Sequence, residues 1–219
     1  PVTRALAQEQ LSGNLCRCTG YRPILDAAQT MKHWRADGID EAQLLAQLQL
    51  VRPQGAVGDS AYMAPRTMKD LLQLRAAHPR AQVVAGCTDA GLWVTKMHMR
   101  FAQVLDVTRV DELRRIDVRG GEVVIGAAVP LQDAYAALVT DRPQLKAFAD
   151  RFAGLPIRNS GTMGGNVANG SPIGDSMPLL IALGGSVVLA GTRGEREMPV
   201  EDFYTGYRKN HLAPDEVLA

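Results

Sequence analysis

Apolar positions recur along this chain at helical spacing in some stretches and in short runs in others, and the pattern changes near residue 60. Ala5, Leu6, Gln10 and Leu11 give a short amphipathic helix. A bend, SGNLCRCTGYRP, follows, built from Gly13, Gly20 and Pro23. Ile24, Leu25, Ala27, Ala28 and Met31 then return at helical spacing, with Pro23 in the first turn, where a missing N–H is no loss. Leu44, Leu45 and Leu48 mark another short helix. Residues 1–50 thus read as a helical region, and residues 51–60, around VRPQGAVGD, have linker composition.

From Ala61 the pattern becomes mixed. Thr67 or Asp70 suits the cap of a helix, MKDLLQLRAAHP, that stops before Pro79. Strands are expected at residues 81–85, 104–107, 122–125, 186–190 and 197–200. Helices are expected around Leu92–Met97, 131–139, 143–152 and 177–183. Strands alternating with helices make residues 61–219 an α+β or α/β domain.

Two stretches break the periodicity. After the strand at 81–85 comes Gly86-Cys87-Thr88-Asp89-Ala90-Gly91. Strand, glycine turn, helix start is a layout that offers free N–H groups to a pyrophosphate, although it is neither a P-loop nor GxGxxG. The second stretch, FAGLPIRNSGTMGGNVANGSPIGD, runs from Phe152 to Asp175 and is spaced by Gly154, Gly161, Gly164, Gly165, Gly170 and Gly174. Its plain reading is a long surface loop with several tight turns, because glycine weakens both helices and strands. Its functional reading is close approach of a flat ring or a phosphate at Gly164 and Gly165. Thr162, Asn166 and Asn169 would then supply neutral hydrogen bonds and Asp175 a charged one.

Charge and composition narrow the classes. Lys and Arg total 24 against 23 for Asp and Glu, which gives no electrostatic case for nucleic acid or an anionic membrane surface. The longest apolar run, 177–191, is interrupted by Gly184 and Gly185 and is too short to span a bilayer, and no signal peptide is recognisable. Three cysteines do not build a disulfide framework, so a reducing, cytoplasmic setting is expected. Cys16 and Cys18 stand one residue apart before a helix start, with Arg17 and Arg22 nearby, a setting that favours thiolates and an anionic metal cluster. They read either as half of a metal site or as two small apolar residues. A sulfur site wants four ligands, and Cys87 lies beyond the linker, so completion requires residues outside this chain. His33, His78, His98 and His211 form no ligand spacing. No GxSxG elbow or paired-carboxylate motif is present, so redox or group-transfer chemistry would belong to a bound cofactor.

Taken together, these motifs resemble the molybdenum hydroxylase family, and within it the iron–sulfur/flavin subunits of bacterial xanthine dehydrogenases. LSGNLCRCTGYRPILDAA is similar to the family's second 2Fe–2S motif, and VVAGCTDAGLWVTK to its flavin-pyrophosphate loop. RFAGLPIRNSGTMGGNVANGSPIGD is similar to the second flavin loop, and FYTGYRKNHLAPDEVL to the segment closing over the flavin. The resemblance implies a partial all-α 2Fe–2S domain (1–50), a linker (51–60) and an α+β FAD-binding domain (61–219) of the molybdenum-hydroxylase flavoprotein (PCMH) type.

By position, Cys16 and Cys18 resemble cluster ligands. Val83, Val84, Ala85, Gly86, Cys87, Thr88, Asp89 and Ala90 resemble the loop along the FAD pyrophosphate and ribityl chain. Phe152, Thr162, Met163, Gly164, Gly165 and Asn166 resemble further FAD contacts, with Asp175 and Leu218 beside the flavin and Tyr207 where nicotinamide approaches. The implied activity carries electrons from a molybdenum centre through 2Fe–2S clusters to FAD and on to NAD, as hypoxanthine and xanthine become urate. A related hydroxylase acting on an aldehyde, carbon monoxide or another N-heterocycle is the alternative, and a zinc-containing binding module is the alternative of another class. The implied partner is a molybdopterin-binding large subunit, two of each forming a heterotetramer, with no nucleic acid or membrane. The preceding ferredoxin domain with its CxxC pair and the C-terminal flavoprotein subdomain are not in this sequence, so the chain reads as a fragment. Family members often carry Asn or Gly where Cys87 stands.

Overall fold

A computed structural model describes residues 1–34, 38–51 and 61–219. The chain divides into two compact units, Pro1–Gly58 and Asp59–Ala219. Nearly all of the expected linker, residues 51–60, lies outside the described residues.

The first unit is helical. α1 (Arg4–Gln10) begins where Thr3 Oγ1 accepts the Leu6 N–H at 3.1 Å. α2 (Tyr21–Thr30) packs against α1, and Arg4 pairs with Asp26 at 2.8 Å across the two helices. α3 (Glu41–Leu50) is capped by Asp40, which accepts the Gln43 N–H at 3.0 Å. Each cap satisfies an N–H that the first helical turn leaves open.

The second unit opens with β1 (Tyr62–Met63) and α4 (Met68–Ala77). Thr67 caps α4, accepting from Asp70 N at 3.2 Å and donating to the Asp70 carboxylate at 2.8 Å. β2 (Gln82–Val84), α5 (Ala90–Thr95) and β3 (Val104–Asp106) follow. The three strands form one parallel sheet in the order β1-β3-β2, with Val83 opposite Leu105. Parallel neighbours need helical crossovers, which α4 and α5 provide.

β4 (Ile116–Arg119) and β5 (Glu122–Ile125) form a hairpin turned by Gly120 and Gly121, both at positive φ. That geometry matches strand twist and favours glycine at both positions. β4 was not foreseen, since its alternation covers only four residues. α6 (Leu131–Asp141) and α7 (Lys146–Arg151) come next.

The glycine-rich stretch is not a loop. It folds as α8 (Leu155–Ser160) and α9 (Met163–Asn169), the latter capped by Thr162 Oγ1 on Gly165 N at 3.0 Å and stopped by Gly170 in the left-handed region. From α8, the buried Arg158 side chain donates to Gln132 Oε1 at 2.8 Å and to the carbonyls of Phe152 and Ala153 in the preceding turn at 2.9 and 3.0 Å. These bonds hold a turn in which Ala153 has φ +47°.

α10 (Ser176–Ala182) leads to the β6 (Ser186–Gly191) and β7 (Gly194–Pro199) hairpin. The strand expected at 197–200 is thus the end of β7, and residue 200 already belongs to α11 (Val200–Phe203). β8 (Tyr204–Gly206), β9 (Lys209–Asn210) and β10 (Val217–Leu218) complete the chain, β10 lying antiparallel on β6. Leu71, Leu105, Val110, Leu189, Val200 and Phe203 are fully buried at the centre of the core. The second unit is therefore mixed α and β, with a three-stranded parallel sheet, a three-stranded antiparallel sheet and the antiparallel pairs β4-β5 and β8-β9.

Candidate functional site

Three segments of the second unit enclose a cleft of about 340 Å³. The first wall is β2 and the loop that leaves it. Gly86 is required there, because a Cβ would lie 1.7 Å from the Ser160 carbonyl oxygen at the end of α8. The next residue, Cys87, adopts φ +56°, which turns the backbone sharply. Gly91 N–H then bonds to Cys87 O at 2.8 Å, and Leu92 and Trp93 N–H to Asp89 O. The N–H groups of residues 86–90 themselves meet no acceptor among the described residues. Consecutive unpaired N–H groups around a left-handed residue make a concavity that suits an anion. The Cys87 thiol lies in this wall, bonded to Ala85 O at 3.4 Å, and burial pushes its pKa up.

The second wall is α9 with the turn before it. Leu131, Met163 and Gly164 N–H bond to Gly161, Val129 and Ala127 oxygens at 2.8–3.0 Å, which zips residues 127–131 onto 161–164. Gly164 is needed for that packing: a Cβ there would sit 2.4 Å from Ala127 Cβ. The two neighbouring glycines therefore differ. Gly164 is a packing residue whose missing side chain faces Ala127, whereas a Cβ on Gly165 would approach only Thr162 Oγ1, at 2.8 Å. The walls are tied by Asn169 Nδ2 donating to Asp89 Oδ2 at 2.8 Å. Asn166 Oδ1 is buried and accepts no hydrogen bond among the described residues. A buried acceptor of this kind costs free energy until a donor meets it.

The third wall is the chain end from Leu212 to Leu218. Arg196 holds it, donating to the Glu216 carboxylate at 2.9 and 2.7 Å and to His211 O at 2.7 Å. The guanidinium keeps the Glu216 carboxyl down at about 2. Arg75, from the last turn of α4, bridges this wall to the first, with Nε on Glu216 O at 3.3 Å and Nη1 on Ala81 O at 3.0 Å.

The cleft gathers residues 83–90, Thr162, Gly164, Gly165, Asn166 and Leu218 of the sequence-derived candidates. Phe152 and Met163 lie in the core, Phe152 with its ring 5.0 Å from that of Tyr135. Asp175 is exposed at the start of α10 and makes no side-chain capping bond. Tyr207 is 75% exposed, with Arg208 5.9 Å from its ring centre. None of these four lines the cleft. Arg75 does, and sequence reasoning missed it; Trp93, Leu212, Glu216 and Val217 line the cleft too, from stretches singled out by resemblance but without being named one by one. A charged residue on a short amphipathic helix carries no signal that separates it from a solvated one.

In the first unit, Cys16 is half-buried and Cys18 exposed, and both are free thiols. Cys18 N–H donates to Cys16 Sγ at 3.4 Å, with Thr19 Oγ1 3.7 Å from the same sulfur. The backbone N–H of Thr19, then that of Cys18, favours the thiolate and lowers the Cys16 pKa to about 7. Among the described residues no third ligating side chain joins them. No described helix is long and apolar enough to cross a membrane.

The fold and the two loops define a class. Residues 56–219 match the FAD binding domain in molybdopterin dehydrogenase, and residues 1–29 match a [2Fe-2S] binding domain. The chain belongs to this FAD-binding family of molybdenum hydroxylases. Among its relatives is the xanthine dehydrogenase of Drosophila subobscura, 31% identical over an alignment covering 94% of this chain and 20% of the relative. Xanthine dehydrogenase 1 of Arabidopsis thaliana is 27% identical. The chain spans about a fifth of the length of these curated relatives. Among solved structures, quinoline 2-oxidoreductase from Pseudomonas putida 86 superimposes with a TM-score of 0.68 at 25% identity, covering 75% of this chain and 58% of that one. Carbon monoxide dehydrogenase from Hydrogenophaga pseudoflava gives 0.67 at 30% identity, covering 72% and 56%.

The residues present fit FAD. The unpaired N–H groups of 86–90 suit a pyrophosphate, the orphaned Asn166 oxygen suits a ligand N–H or O–H, and the lining near α9 is neutral.

Proposed function

We propose that this chain is the electron-transfer part of a xanthine dehydrogenase. In this reading residues 61–219 hold FAD, residues 1–50 contribute Cys16 and Cys18 to a 2Fe–2S cluster, and residues 51–60 join the two. The observation that carries it is the cleft in which two loops, 80 residues apart in sequence, are tied by the Asn169–Asp89 hydrogen bond. FAD, when bound, supplies a carrier that exchanges electrons singly with an iron–sulfur centre and as a hydride with NAD.

This chain's residues bind and orient it. The N–H groups of 86–90 neutralise the pyrophosphate without a counter-ion, as oriented backbone dipoles do. Asp89 would repel phosphate, and its bond to the Asn169 amide draws that charge aside. Asn166 Oδ1 would accept a hydrogen bond from the cofactor, and Thr162 fixes the start of α9, which would face the ring. Leu218, in the third wall, would cover the cofactor from that side. Cys16, already biased towards thiolate by backbone N–H groups, is prepared for ligation without a costly deprotonation. Exposed Tyr207 offers an aromatic face to a nicotinamide, and Asp175 a carboxylate on the same domain.

Two cluster ligands and the molybdenum cofactor then come from outside this chain, the latter from a molybdopterin-binding large subunit. A cytoplasmic heterotetramer of two small and two large subunits is part of the same reading. The structural likeness to quinoline and carbon monoxide enzymes supports a second reading, in which the substrate differs and this chain's role does not. The test is the complete complex, assayed for NADH formation with hypoxanthine and xanthine, then with quinoline and carbon monoxide. Xanthine-dependent NADH formation supports the first reading. Reduction of an artificial acceptor by another substrate alone supports the second, and a colourless zinc protein contradicts both.

A further inference from the structure

Arg75 is the one cation among the described residues that line the cleft; the lining carboxylates are Asp89 and Glu216. Both acids are engaged, Asp89 with Asn169 and Glu216 with Arg196. Nearby Asp215 is paired with Arg193 at 3.4 Å. Arg75 spends Nε and Nη1 on two backbone carbonyls, which fixes the guanidinium plane, while its Nη2 group donates no hydrogen bond among the described residues, although the Asp215 carboxylate also acts on the guanidinium. It is half-buried, and desolvation lowers its pKa. An immobilised, partly dehydrated guanidinium with spare donors is built to meet a ligand.

Its place along the cleft gives the ligand's chemistry. Arg75 sits at Ala81, where β2 begins, and the free N–H groups start at Gly86, where β2 has ended. At about 3.3 Å per residue, the five steps from Ala81 to Gly86 span at most roughly 16 Å. If the phosphates lie on residues 86–90 and the uncharged ring rests by α9, a flavin mononucleotide ends at the loop. Only a dinucleotide continues along β2.

We infer that Arg75 is a specificity-determining residue that receives the AMP half of FAD and sets the preference of the cleft for the dinucleotide over FMN. This rests on the reading that the cleft holds FAD. The guanidinium meets the adenine face or the AMP polar groups through Nη2, a contact FMN lacks.

Flavin-free full-length protein titrated with FAD, FMN and ADP tests this. The wild type should bind FAD at least tenfold more tightly than FMN, and ADP should displace FAD. Arg75→Met should weaken FAD about tenfold or more, abolish competition by ADP and leave FMN binding unchanged. Arg75→Lys, which keeps the charge and the stem, should recover part of the FAD preference. Equal losses for FAD and FMN, or unchanged FAD affinity in a folded variant, would overturn the role of Arg75. If Arg75→Met does not fold, the same ratio measured on Arg75→Lys decides, and an unaltered ratio there overturns the proposal. A wild type that binds neither flavin overturns the FAD reading and this inference with it.

Discussion

At the residue scale, adjacent glycines do different work. Gly164→Ala drives a methyl into Ala127 and should cost about 1–3 kcal/mol, as overpacking does. Gly165→Ala meets only the Thr162 hydroxyl. Losing that cap bond costs about 1 kcal/mol, and replacing glycine inside a helix returns a similar amount, so stability should change little. Denaturant melts of the two variants should separate clearly, and equal destabilisation would contradict the assignment. Glu216 provides a pH signature. Its carboxyl is held at about 2, below the usual 4.5, so the Arg196–Glu216 contribution is fully present above pH 4.5 and is lost as pH falls towards 2. Glu216→Gln should therefore be less stable than wild type at pH 6, with the gap closing below pH 4.5. A gap that stays constant with pH would remove the ion pair from the account.

At the element scale, Arg158 joins α6, the 152–153 turn and α8. Arg158→Met leaves two carbonyls and Gln132 without their donor and should cost roughly 2–4 kcal/mol. If thermal melts show no loss, the turn holds itself. Cys16→Ala or Cys18→Ala in the complete protein should delete one 2Fe–2S signal in electron paramagnetic resonance while flavin absorbance persists. Retention of every signal would reject the two thiols as ligands. Much of this scale was legible. The Thr67 cap, the helix stop before Pro79 and the strand leading into Gly86 follow from local chemistry. α9 did not, because glycine opposes helix formation, and what overrides it is tertiary: the 127–131 segment accepts α9 only without a Cβ at position 164. β8, β9 and β10 are two or three residues long, too short for any period to register.

At the scale of the whole molecule, the cleft was half legible. Glycine-rich composition marked residues 86–91 and 152–175 as places of close approach, but their meeting depends on Gly86 passing the end of α8 and on the Asn169–Asp89 bond. The third wall arrives through β10 pairing with β6, in a stretch marked by resemblance and not by periodicity, and Arg75 through the packing of α4, which leaves no sequence signature. The central claim is that three separated segments form one FAD site. Cys87 reports on it directly, since it is an exposed residue that lines the cleft. The measurement is maleimide labelling of flavin-free full-length protein with and without saturating FAD, read by peptide mass spectrometry. FAD should slow labelling of Cys87 at least tenfold, and an unchanged rate with FAD bound would mean that the cofactor lies elsewhere.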